Sequence, residues 1–346
     1  MTFWNSRPLK QWIAPGGTVL AITLGLLVVP RPGWLTSSGN VNASVQQSFE
    51  IPESERRHIG VLDLKFHNLS HEEMEQTRAI SERLRQNLRQ LGLFKIVEHP
   101  RMKSIMEDVG FQYGKEDTTA GLTDVGEILG VTEMLGGSVS KVGSIYSIHI
   151  RLISVMTSGV IESAYCDVMD ISELLDSGVQ QVVQSLGSAV SPKMQTSLDE
   201  SGHFTFTHDR DRVGVLRLES NNLPQGVADA VTERLSFFLG RTTFAHVLER
   251  ESIESILEEI AFQATQTSSG DVDHAVAINR ILTAEKVIAG SVSRVGDSYS
   301  LQIRVIHVES SKPEFNAFAE VDTVEEVLTS AVYSVVNQLE EHYRER

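Results

Sequence analysis

The chain of 346 residues holds a single cysteine, Cys166. An internal disulfide and a zinc cluster built on several cysteines are both excluded by that count. Basic residues are also scarce, 30 Lys and Arg against 46 Asp and Glu, for a formal net charge of −16. That field repels phosphate backbones and anionic lipid surfaces, and no Lys/Arg run offsets it. Nucleic acid is not an expected partner.

Long apolar runs are missing too, with one exception. Residues 18–29, "TVLAITLGLLVV", carry no charge and follow Arg7 and Lys10. Twelve helical residues span roughly 18 Å, well short of a ~30 Å hydrocarbon core. Residues 1–43 therefore read as a signal peptide or, if counting starts at Ile13, an uncleaved membrane anchor. Either reading places the body outside the cytoplasm. No cysteine directly follows the run, so a lipid-modified cysteine anchor at its end is not expected.

What the chain does hold is one sentence written twice. "GSVSKVGSIYSIHIRLISV" from Gly137 and "GSVSRVGDSYSLQIRVIHV" from Gly290 agree at 12 of 19 positions. The halves track each other elsewhere at an offset of about 150: "HIGVLDL" with "RVGVLRL", "SERLRQNL" with "TERLSFFL", "FKIVEH" with "FAHVLE", and Phe111, Gln112 with Phe262, Gln263. Self-similarity over a whole half means duplication, and copies this long are domains rather than solenoid repeats. The expected organisation is a linker at 44–57, a first domain at 58–190, a linker at 191–210 and a second domain at 211–346. Phe204 and Phe206 in the second linker could join an edge strand.

Apolar periodicity sets the element order. Ile59, Val61 and Leu64 read as one strand. Ile80, Leu84, Leu88 and Leu91 form a helical stripe, and 94–97 returns to strand character. Short helices follow at 101–109 and 124–129, then strands near 131–139, 145–155 and 160–167. Tyr146, Ile148, Ile150 and Leu152 alternate towards a core, as do Tyr299, Leu301, Ile303 and Val305, so Arg151 and Arg304 lie on the opposite face. Both copies close with a helix behind a capping-box pattern, Asp170 with Glu173 and Thr323 with Glu326. The fold class is α/β: two tandem domains of β-α-β-α-α-β-β-β-α order, each a mixed sheet packed against helices.

This order, with "ILGVTEMLGGSVSKVG" and "ILTAEKVIAGSVSRVG" feeding a hairpin, resembles the CsgG-like family of bacterial envelope proteins, which is related to TolB amino-terminal and LpoB-type domains. The resemblance covers about 58–190 and 211–343, and its motifs are structural. It implies a non-enzymatic periplasmic protein working through contacts with other envelope proteins, with self-association among the options, in envelope assembly, curli-like secretion or cell-wall regulation. The long amphipathic hairpins that build the curli pore have no counterpart in this sequence.

Chemical motifs fail on spacing. A phosphate loop needs its lysine after the second glycine, whereas Lys141 lies between Gly137 and Gly143. Ser138 and Ser140 lack the G-x-S-x-G frame. His67 and His71 stand at i, i+4 beside acidic residues, but His67 precedes the helix cap at Ser70, so solvated histidines at a helix entry are the expectation. Asp63 is matched by Arg217 and recurs in no acidic pair, and Glu258 and Glu259 sit on a polar helix face. Cys166, matched by Ala319, reads as a small buried apolar residue. Arg78, Arg83, Arg85 and Arg89 read as a solvated helix face paired with Glu75 and Glu82. No catalytic, cofactor-binding or metal residue is expected. Phe237 is different: it replaces Gln86, is turned about 100° from the core residue Phe238, and is expected near the surface as a contact with the other domain or a partner, with a wider core stripe that takes it in as the alternative. A receptor holding a small molecule between the domains, or a hydrolase using Asp63, His67 or His71, are the alternatives.

Overall fold

The structure is a computed structural model that describes residues 51–108, 122–196, 210–249, 284–310 and 312–344. Residues 1–43, Phe111, Gln112, Phe204, Phe206, Glu258, Glu259, Phe262 and Gln263 lie outside the described residues.

The first half runs β1 (Arg57–Val61), β2 (Lys65–His67), α1 (His71–Leu91), β3 (Phe94–Ile96), α2 (His99–Asp108), α3 (Leu122–Leu129), β4 (Glu133–Val142), β5 (Ile145–Ser154) and β6 (Val160–Val168). Its closing helix is α4 (Ile171–Glu173), a π-turn at Leu174–Gly178, and α5 (Val179–Thr196). The second half repeats this with β7 (Asp211–Val215), β8 (Glu219–Asn221), α6 (Gln225–Leu239), β9 (Ala245–Leu248), β10 (Lys286–Val295), β11 (Ser298–His307) and β12 (Lys312–Val321). It closes with α7 (Val324–Glu326), a π-turn at Val327–Ala331 and α8 (Val332–Arg344). Each half builds a mixed six-stranded sheet, in the orders β3-β1-β4-β5-β6 and β9-β7-β10-β11-β12, with β2 and β8 added on β4 and β10.

Local details repeat as faithfully as the topology. Ser81 Oγ accepts from the Leu64 N–H at 3.1 Å, and Thr232 Oγ1 from the Leu218 N–H at 3.2 Å. Asn68 and Asn222 both have positive φ, at 56° and 60°, as do the hairpin residues Gly143 and Gly296, at 58° and 63°. A Cβ on Gly137 or Gly290 would strike the carbonyl of His149 or Gln302 across the strand pair. The repeated glycines are thus demanded by backbone approach and turn geometry.

Four expectations need correction. The run from Ile59 to Leu64 is not one strand: the chain leaves the sheet after Val61 and rejoins β4 as β2. Three residues are too few for a two-residue period to show. The "FKIVEH" and "FAHVLE" segments are one register apart, because Phe94 pairs with Arg57 while Ala245 pairs with Asp211. Glu98 therefore corresponds to Glu249. Asp170 accepts from the N–H of Ser172 instead of forming a reciprocal box, whereas Thr323 with Glu326 forms one, as does Ser70 with Glu73 at the start of α1. Arg85 is buried against Asp63 rather than solvated.

One face of the first sheet, carrying Ile148, Ile150 and Leu152, packs with Leu84 and Leu88 of α1 and Val182 and Leu186 of α5. The second sheet buries Leu301, Ile303 and Val305 against α6 and α8 in the same way. The helices α1 and α6 then differ. Stretches of α1 face solvent, whereas α6 is buried almost all round, charged residues included. A helix buried on every side lies between two layers.

Candidate interaction surface

The second layer over α6 is the back face of the first sheet. Because strand side chains alternate, Ser147, His149 and Arg151 of β5 point away from the core of their own half. All three are nonetheless buried. Arg151 donates from Nε and Nη2 to Glu249 at 2.7 and 2.8 Å, and from Nη1 to Glu233 of α6. His149 Nδ1 lies 3.0 Å from the same Glu233 carboxylate. Arg234 donates to both carboxylate oxygens of Asp167 and, at 2.9 Å, to Ser147 Oγ. Its guanidinium also lies 3.7 Å from the Tyr165 ring centroid. Two carboxylates share one guanidinium here: Glu249 takes its bidentate fork and Glu233 the remaining Nη1 donor.

Apolar contacts close the same junction. Phe237 is 6% exposed, its ring edge-on to Tyr165 at 4.6 Å and to His149 at 6.1 Å. Val142, at the end of β4, is wholly buried within the core cluster of the second half. His67 Nδ1 meets Asp229 of α6 at 3.3 Å, and the Ser144 N–H in the β4–β5 turn donates to Glu325 at 2.9 Å.

Electrostatics follow from these partners. Burial disfavours the charged form of His149 and lowers its pKa, opposed by Glu233 and reinforced by Arg151 and Arg234. Burial works against the Asp229 carboxylate, yet hydrogen bonds from His67, Arg217 and Gln225 hold it well below the usual carboxylate range. On the opposite, core-side face of the first sheet, burial likewise opposes the Glu73 carboxylate of α1, but Lys141, Tyr146 and the Ser70 N–H keep it down at about 2.

The back face of the second sheet carries the same side chains in the same register. Ser147, His149, Arg151, Tyr165 and Asp167 correspond to Ser300, Gln302, Arg304, Phe318 and Glu320. This copy has no covering helix among the described residues. Arg304, Gln302 and Glu320 are exposed, and a shallow groove runs between Arg217, Glu219, Ser291, Gln302 and Arg304. Phe318 is 52% exposed and Val295, the counterpart of buried Val142, is 72% exposed.

The residues singled out from sequence fall in several places. Phe237 lies in the junction between the halves rather than near the surface, because α6 is covered on both sides. His67 pairs with Asp229 and is not a solvated histidine, while His71 is exposed at the start of α1. Asp63 is exposed and meets Arg85 and, at 3.9 Å, His99. Ser138 and Ser140 are buried on the back face, and Lys141 is engaged by Glu73 at 2.6 Å. Arg89 meets Glu82 at 3.7 Å. Cys166 is buried, and burial pushes its thiol up to about 11, against thiolate chemistry. Among the described residues no group of three or more His, Cys, Asp or Glu could hold a metal ion, and no helix is long and apolar enough to cross a membrane.

Sequence reasoning missed His149, Glu233, Arg234 and Glu249 as a connected set. The available signal was Ser147-x-His149-x-Arg151 opposite a fully apolar strand face, facing a helix that is apolar on more than one side.

No family model matches the chain, and no curated protein does, so membership of the CsgG-like family is not shown. Solved structures of partial similarity include the LpoB C-terminal domain from Escherichia coli, at 20% identity over 33% of this chain and 83% of that one, TM-score 0.28. Lipoprotein GNA1162 from Neisseria meningitidis matches at 15% identity over 41% of this chain and 99% of that one, TM-score 0.29. TolB from Acinetobacter baumannii matches at 9% identity over 38% of this chain and 28% of that one, TM-score 0.23. Likeness this slight assigns neither family nor activity.

Proposed function

We propose that the chain is a non-enzymatic protein of the bacterial cell envelope, acting through protein–protein contacts in envelope assembly, secretion or cell-wall regulation. In this reading 58–190 and 211–346 act as two domains, Phe237 anchors one on the other, and the body lies in the periplasm behind a cleaved or anchoring amino terminus. One observation supports it: among the described residues the back face of the second sheet is uncovered, although its counterpart in the first sheet is filled by a packed helix. Exposed Phe318 and Val295 beside Arg304 make a surface with apolar anchors and a polar rim, as protein interfaces have. The space between the halves, where a small-molecule receptor would need its cleft, is occupied by α6 side chains.

The test is a photo-crosslinking residue placed at Phe318 of the full chain in cells, with Glu341 on α8 as the control. Protein adducts at position 318, absent at 341 and recovered in the envelope fraction, are expected. A chain confined to the cytoplasm, or one with no protein adduct at 318, overturns the reading.

A further inference from the structure

The junction inside the chain has two unused halves. Its helix side is made by Glu233, Arg234 and, just beyond β9, Glu249. By the shared hydrogen bonds of Ser81 and Thr232, and by the register of β3 and β9, their counterparts are Glu82, Arg83 and Glu98. All three are exposed on the first half, where Glu82 meets its own helix neighbours Arg85 and Arg89. Its sheet side is made by Arg151, Asp167 and Tyr165, whose counterparts Arg304, Glu320 and Phe318 are exposed on the second half. The charge order is preserved in both: two acids then face one arginine, and one arginine faces an acid beside an aromatic ring.

We infer that the chain associates head to tail with a second copy of itself, the α1 face of one molecule docking on the back face of β10–β12 in the next. Glu82 and Glu98 then meet Arg304, and Arg83 meets Glu320 over the Phe318 ring, repeating the contacts of Glu233, Glu249 and Arg234. Phe318 and Val295, two of the five large apolar residues most exposed on the described surface, are covered as Tyr165 and Val142 already are. The junction is heterologous, using different patches on the two molecules, so each added copy presents a new free face. Gln86 stands where α6 has Phe237, so this contact lacks the aromatic anchor and is the weaker of the two.

This inference rests on the protein-contact reading and names the partner. Sedimentation of the full chain in mild detergent, from micromolar to submillimolar concentration, tests it. The average mass is expected to rise with concentration. Arg304→Glu, and separately Glu82→Lys with Glu98→Lys, should each hold the chain monomeric, and mixing the two variants should restore association because opposite charges again face each other. The altered side chains are exposed, so melting should match the parent; Phe318→Ser supplies a further block that involves no charge. A parent that stays monomeric, either variant still associating alone, or a mixture that stays monomeric overturns the inference. A monomeric chain that still gives adducts with another protein at position 318 removes the self-association and leaves the envelope-contact reading standing.

Discussion

Glu133 and Lys286 occupy the same place in the two sheets with opposite charge. Arg57 on β1 pairs with Glu133 on β4, and Asp211 on β7 pairs with Lys286 on β10 at 2.8 Å. Duplication preserved the ion pair and reversed its polarity, which places the constraint on charge balance in a buried strand junction rather than on either residue type.

Removing one partner should therefore cost unequally. Glu133→Ala leaves a buried guanidinium and is expected to lose about 3–5 kcal/mol. Asp211→Ala should lose about 1 kcal/mol, because Asp211 is part-exposed and Glu314 still meets Lys286 at 3.1 Å. The double variant Arg57→Asp, Glu133→Lys should recover part of the single-variant losses. Urea unfolding of the alanine variants measures the unequal costs, and of Arg57→Asp, Glu133→Lys and their double variant, read as a double-mutant cycle, the recovery.

Arg151 and Arg304 offer a matched comparison. Arg151→Ala strands Glu233 and Glu249 inside the junction and should destabilise by about 3–5 kcal/mol. Arg304→Ala alters an exposed position and should stay within about 0.5 kcal/mol at low protein concentration. Equal costs would mean that the junction between the halves is not formed.

Acid should loosen the junction in two stages. The His149 pKa is lowered on folding, so below the ordinary 6.5 the unfolded chain takes up a proton that the folded one refuses. Its stability contribution is complete above 6.5 and declines as pH falls below that value; His58 shifts in the same direction. The Asp229 carboxylate is depressed, so its contribution is complete above 3.8 and is lost as pH falls further. His149→Gln should flatten the slope of unfolding free energy between pH 7 and 5, whatever it does to the absolute level. An unchanged slope would contradict a buried neutral imidazole.

Gly143 and Gly296 share a left-handed backbone but not a neighbourhood. A methyl group on Gly296 meets nothing within 4 Å, so Gly296→Ala should cost about 1–2 kcal/mol from backbone strain alone. On Gly143 the methyl would also collide with Glu325 and displace it from Ser144. Thermal melting should rank Gly143→Ala clearly below Gly296→Ala.

Much of the fold was legible in the sequence because its signals are local. Alternation in 145–155, the stripe from Ile80 to Leu91 and the glycine turns each reflect one element meeting one core. The junction was not legible, because its members come from β5, β6, α6 and the end of β9, and no sequence period links them. Alternation places Arg151 opposite the core of its own half, but nothing local announces the helix from the other half that covers Arg151 and His149. The short β2 and β8 were lost for a simpler reason: three residues cannot display a pattern. Arg85 looked solvated because its partner Asp63 lies across a turn.

The seating of α6 on its neighbour's sheet has a consequence for affinity. Because helix and sheet belong to one polypeptide, each finds the other at the millimolar effective concentration that a tether supplies. A contact rich in charge, too weak to hold two free proteins together in dilute solution, is then permanently made. Its untethered repeat at Arg304 enjoys no such advantage, and would be governed by how crowded the compartment is and how much salt it contains.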